Sequence, residues 1–206
     1  TYNNGFQISR QAIINDDLSA LQDVPAAHGA AAARLQKDVI WALFTANPTM
    51  SDSVAWFHSS HANVGTGGAP SNTTVGELRK LARKQTAGAA ILDIQLKNLI
   101  IPAALEQAID QLLGPLYIAT QASNAATNWM RALQVIVEPR LDADSAVKWY
   151  MTAPQCGITY GYLAGSGGPV VEQVMDFDTD SIKSKCTLDF GASVGDYRFA
   201  YYNAGA

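Results

Sequence analysis

His58 and His61 stand three residues apart, a separation that puts two imidazoles on one helical turn and suits a pair of metal ligands. A glycine-rich run, "GTGGAPSN", follows at 65–72. Zinc needs three or four ligands held by fixed outer partners, and Asp52 is the one carboxylate close in sequence. There is no HExxH and no neighbouring cysteine pair. The glycine run lacks the lysine of a phosphate loop and the GxGxxG order of a dinucleotide site. At 164–168, "AGSGG" has Ala164 where a nucleophile elbow needs glycine. Asp16-Asp17 and Asp176/Asp178 sit in turn contexts, where carboxylates cap backbone rather than move protons. Arg79, Lys80, Arg83 and Lys84 form a basic helix face that could meet phosphates, but no aromatic is interleaved with them. That face reads as solvated. Residues 56–74 read as a connection between two lobes, with one histidine packed beside Trp56 and Phe57 and the other bonded to loop backbone. No catalytic, cofactor-binding or metal-binding residue is expected, and no cofactor.

The elements that would position these residues follow from periodicity. Residues 5–14 alternate as a strand, and Asn15, Asp16 and Asp17 break it. From Ala26 to Ala46 the sequence predicts a long helix with Ala27, Ala31, Leu35, Val39 and Leu43 on one stripe, stopped by Asn47-Pro48. "TVGELRKLARKQT" predicts a second helix, with Thr74 and Glu77 as a capping box and Val75, Leu78, Leu81 and Ala82 as its apolar face. "NLIIP" is a short buried strand, and Pro102 opens a third helix that carries Leu105, Ala108, Ile109 and Leu112 and ends at Gly114-Pro115. From residue 133 the signals are β: "LQVIVEP", "KWYM", then a meander of "GITYGYL", "VVEQVMDF" and "IKSKCTLDFG" joined by the turns "AGSGGP" and "DTDS". Ile182, Ser184, Cys186, Leu188 and Phe190 share one face of the last strand. The class is α+β, with Leu35, Val39 and Leu43 expected to bury against Leu188 and Phe190.

The bulk composition limits the choices further. The 206 residues are 48% apolar and 16% charged, a globular composition with much uncharged surface. A net charge of −4 gives no broad attraction for nucleic acid or an anionic membrane. No apolar run reaches the roughly 18–20 residues of a membrane span. Cys156 and Cys186 are expected to be free thiols of a protein made in a reducing compartment. The alternation of Tyr2, Phe6 and Ile8 reads as a strand already under way, so Thr1 is expected to be a cut point inside a longer polypeptide.

The order of segments is more telling than any single motif. "FQISRQAIINDDLSAL", a long Ala-rich helix, "WFHSSHANVG", "NLIIPAALEQA", "VEPRLD" before "WYM", and the closing "LDFGASVGDYRFAYYNAG" resemble, in that order, the major head subunit family of Mu-like tailed bacteriophages. The resemblance covers nearly the whole chain. It implies the tailed-phage major capsid fold, with a long spine helix, a peripheral β layer and an axial α/β lobe. On that template residues 1–16 are the returning part of an extended E-loop, 17–47 and 151–206 the peripheral domain, and 48–150 the axial domain. The N-terminal arm and the outgoing E-loop strand are expected to lie outside this sequence.

The same resemblance implies a structural subunit of a bacteriophage or prophage icosahedral head. It implies self-assembly into hexameric and pentameric capsomers, with scaffold, a head-maturation protease and packaged DNA as further partners and no membrane. The location is the virion, after assembly in the host cytoplasm. Two other functions compete: a peptidase or hydrolase, through a protease–capsid fusion, and a metal- or ligand-binding module using His58 and His61.

Overall fold

The computed structural model describes residues 1–15, 24–115, 117–121 and 124–206. In chain order the elements are β1 (Tyr2–Ser9), α1 (Arg10–Ile14), α2 (Val24–Ala46), α3 (Asn72–Lys84), β2 (Thr86–Ala87), β3 (Ala90–Ile91), β4 (Asn98–Ile101), α4 (Glu106–Leu113), β5 (Tyr117–Gln121), β6 (Asn124–Thr127), β7 (Gln134–Val137), β8 (Trp149–Thr152), β9 (Ile158–Tyr162), β10 (Val170–Asp176), β11 (Ser181–Leu188), β12 (Phe190–Val194) and β13 (Ala200–Asn203). They form two compact units, one of Thr1–Ala42 with Thr159–Ser193, the other of Leu43–Ile158 with Val194–Ala206. The divides fall at 42/43, 158/159 and 193/194. The last strand also goes to the second unit, because β13 pairs with β8 there.

In the first unit β11 is the middle strand of an antiparallel sheet ordered β1-β11-β10. Tyr2 faces Leu188 and Ser9 faces Ser181 along one side, while Val170 faces Thr187 and Asp176 faces Ser181 along the other. The predicted meander is not what forms. β9 pairs with β12 in a separate two-stranded sheet, so the turn at 164–169 passes between sheets rather than closing a hairpin. The turn before β11 does close a hairpin, with Asp180 at a φ of 44°.

The strand predicted over 5–14 ends at Ser9, where a helical turn begins. Ser9 is the reason: its Oγ accepts from the Ala12 N–H at 3.3 Å, as an N-cap does. Asn15 lies in a turn, and Asp16 and Asp17 lie outside the described residues.

Helix α2 buries a stripe against β11 and β12. Ala32 packs with Leu188 and Phe190, and Leu35, Val39 and Ile40 close around them. His28 stacks on Phe6 with ring centroids 5.4 Å apart. Leu35 and Val39 therefore lie where the sequence placed them, but Ala27 and Ala31 are exposed and Leu43 belongs to the other unit. A strict four-residue repeat advances about 40° per step around a helix of 3.6 residues per turn. The buried set instead mixes steps of three and four. Asn47, at a φ of 44°, ends the helix and donates its N–H to the Leu43 carbonyl.

The second unit is built on a four-stranded sheet ordered β13-β8-β4-β7. β4 and β7 run parallel, while β8 is antiparallel to both β4 and β13. One face carries Leu99, Ile101, Trp149, Met151 and Tyr201 against Val75, Leu78 and Ala82 of α3 and Ile109 of α4. On the other face Tyr150 and Tyr202 meet Phe57, and Phe44 meets Trp56, Phe57 and Tyr150, in one aromatic cluster. A sheet covered on both sides explains why "NLII" and "WYMT" read as unbroken apolar runs. Ala108, expected on the inner side of α4, is exposed.

The cap of α3 also differs from expectation. Ser71, not Thr74, is the N-cap: its Oγ accepts from the Thr74 N–H, and the Thr74 hydroxyl accepts from the Ser71 N–H. Glu77 instead accepts from the N–H and hydroxyl of Thr66.

Candidate functional site

The histidine–glycine segment is an internal part of the second unit rather than a connection between lobes. Gly65 donates to the Tyr202 carbonyl, Gly68 to the Gly205 carbonyl, and Val64 bridges to Tyr202, so the segment runs beside β13. Trp149 Nε1 donates to the Gly68 carbonyl at 3.0 Å. Gly67 and Gly68 take φ angles of 97° and 104°, which glycine adopts without a steric penalty. The glycines thus shape a close backbone approach rather than a phosphate cradle.

The two histidines have separate roles. His58 is exposed and caps a short 3-10 turn, its Nδ1 accepting from the Ser60 N–H at 3.1 Å. His61 is buried, 5% exposed, and stacks on Tyr197 with ring centroids 3.9 Å apart and planes 7° from parallel. Its Nδ1 lies 3.0 Å from the Trp56 carbonyl and its Nε2 lies 2.7 Å from an oxygen of Asp52. Each ring nitrogen therefore faces an oxygen of the segment itself. That bond, with help from the Val54 N–H, holds the Asp52 carboxyl below its ordinary value. Asn63, fully buried, accepts from the His58 N–H and donates to the Trp56 carbonyl. The His58, His61 and Asn63 side chains thus bond backbone of their own segment, which describes a structural clasp.

The other sequence candidates are scattered. Among the described residues no group of three or more His, Cys, Asp or Glu side chains comes together. Asp176 bonds Lys183 and Thr179, whose contacts lower its carboxyl below the ordinary value. Cys156 and Cys186 are free thiols in different units. No described helix is long and apolar enough to cross a membrane.

Two surfaces stand out instead. On the first unit, Val170, Val171, Val174 and Met175 of β10 are 39–75% exposed, and Phe177 just beyond it is 97% exposed. β10 is also an edge strand, so its outer backbone groups have no neighbour within the sheet. On the second unit, the basic face of α3 meets an aromatic that sequence spacing hid. Arg79 lies over the Trp129 ring, 4.7 Å from its centroid, although the two are fifty positions apart.

The chain thus combines helices and strands with an exposed apolar strand edge. A family model described as phage capsid protein matches residues 1–203. The chain belongs to the phage capsid protein family.

The capsid protein's fold has solved counterparts at low identity. A chain of Gordonia phage Cozz is 14% identical at a TM-score of 0.58, covering 100% of this chain and 69% of that one. The capsid of Myoviridae phage XM1 is 9% identical at 0.60, covering 100% and 72%. The holo-SrpI encapsulin complex of Synechococcus elongatus is 12% identical at 0.51, covering 98% and 72%. No curated protein sequence matches the chain. The α+β fold is that of tailed-phage major capsid proteins. The chain is a structural, shell-forming subunit of a phage head.

Proposed function

We propose that this subunit assembles with copies of itself into hexameric and pentameric capsomers that close around DNA, and that it performs no catalysis. The observation that carries this reading is the apolar edge of β10. A lone soluble subunit gains nothing from a strand edge with Val174 64%, Met175 75% and Phe177 97% exposed. Copies related by closed symmetry would bury it repeatedly, and many weak contacts acting together hold a shell. A hydrolase reading would need a free nucleophile–base pair, whereas both ring nitrogens of His61 are occupied internally.

The unit of Leu43–Ile158 with Val194–Ala206 is read as the axial domain, gathered round capsomer centres. The unit of Thr1–Ala42 with Thr159–Ser193, holding all but the last turn of α2 as the spine helix, is read as the peripheral domain. Residues 1–16 are read as the returning part of the E-loop, and the subfamily as Mu-like. Assembly takes place in the host cytoplasm, with scaffold and a maturation protease as partners, and the product is a virion component. The test is mutational. Val174→Lys should leave a folded subunit and abolish capsomers in sedimentation. Normal capsomers from this variant would remove the β10 edge from the account.

A further inference from the structure

We infer that the pocket between α3, the residues leading into β4 and the Trp129–Ala132 turn binds the phosphodiester backbone of DNA. The pocket encloses about 340 Å³ and is lined by Arg79, Arg83, Gln95, Lys97 and Trp129. Lys80, Lys84 and Arg131 flank these residues in sequence and are exposed. Six of the chain's 14 lysines and arginines, Arg79, Lys80, Arg83, Lys84, Lys97 and Arg131, thus line or adjoin one site on a protein of net charge −4. Arg83 is paired with Asp93 at 2.6 Å. Among the described residues the other five form no ion pair, so the local charge is strongly positive.

The pocket is also pre-organised. Trp129 donates from Nε1 to the Asn72 side chain at 2.9 Å, which fixes its ring against the first turn of α3. The ring then holds the Arg79 guanidinium through a cation–π contact. An arginine already restrained gives up less side-chain freedom on meeting a phosphate. Trp129 is a positioning residue here, and Arg79, Arg83 and Lys97 make the contacts.

The lining favours a phosphate polymer over an acidic peptide. Leu96, Ala132 and Leu133 complete the lining, and its three cations, with no carboxylate among them, suit a row of phosphates. Arg79 and Arg83 are one helical turn apart, about 6 Å at their Cβ atoms, and Lys97 extends the row from another element. A row of cations neutralising successive phosphates needs no base reading. The net charge of the whole chain keeps such binding weak and confined to this patch. The identity of the polymer as DNA rests on the shell reading above, whereas the site itself does not.

The test is fluorescence anisotropy of a labelled DNA duplex of about 20 base pairs, titrated with dispersed wild-type subunits between about 50 and 200 mM salt. With three phosphates neutralised, log K should fall against log salt with a slope of about −2.7. The double variant Arg79→Gln/Lys97→Gln, checked for folding by circular dichroism, should bind about tenfold more weakly or worse and reduce that slope by about 2. Lys148→Gln, which removes an amine paired with Asp144, should bind as wild type does. A glutamate peptide of equal charge should compete at least tenfold more weakly than unlabelled duplex. Absence of salt-dependent binding, an equal loss in Lys148→Gln, or equal competition by the peptide would overturn the proposal. Shell formation is read separately by microscopy. Duplex binding without shells removes the shell reading alone, and shells without duplex binding remove this site alone.

Discussion

His61 lies flat against Tyr197, ring on ring at 3.9 Å, across 136 positions of sequence. The contact ties the histidine segment to the turn before β13, while Asp52 holds the edge of the imidazole at 2.7 Å. The Asp52 carboxyl is lowered from 3.8, chiefly by that bond. A carboxyl lowered by folding stabilises the fold above its unfolded value, and this contribution disappears as pH falls through the lower, folded value. Asp52→Asn should therefore reduce the melting temperature at pH 7 and flatten its decline below about pH 4. Melting curves taken across the acid range check this. An unchanged acid limb would show that the pair contributes nothing to acid sensitivity.

The α2 stripe gives a graded prediction. Leu188 is 2% exposed and central to its cluster, so Leu188→Ala should cost about 2–5 kcal/mol in urea unfolding. Leu35 is half-buried and should cost less. Ala31→Ser, on the exposed side, should change stability by no more than about 0.5 kcal/mol. Equal effects at Leu35 and Ala31 would refute the observed facing of the helix.

Gly157 supplies a backbone test. It sits at a φ of 75°, and a Cβ there would collide with the Asp196 carbonyl. The Gly157 carbonyl also accepts from the N–H groups of Gly195 and Asp196, which joins the end of β8's loop to the chain entering β13. Gly157→Ala should destabilise by about 1–3 kcal/mol through strain alone, with more from the collision. Gly161→Ala, where a Cβ meets nothing within 4 Å, is the control expected to be mild.

Much of this fold could be read from the sequence, and the exceptions have physical causes. α2, α3, α4 and the strands β4, β7 and β8 have local periodicity or unbroken apolar runs, so each declares itself. β9 and β10 were legible as strands but not as partners. Pairing is chosen by tertiary packing, and a glycine-rich turn between two strands looks the same whether it closes a hairpin or crosses to another sheet. Ser9 hid the end of β1, because a single capping hydroxyl decides between strand and helix. The place of the histidine segment beside β13 depends on bonds to Tyr202 and Gly205 that no local pattern announces. Trp129 was missed beside the basic helix for the same reason, since proximity in the fold was sought as proximity in sequence.

The central claim is that this chain builds a shell from copies of itself. Electron microscopy of the purified, full-length gene product tests it most directly. The account predicts closed shells, or rings of five and six subunits. Val174→Lys protein with an unchanged circular dichroism spectrum should yield neither. A folded protein that stays monomeric at every concentration would contradict the account.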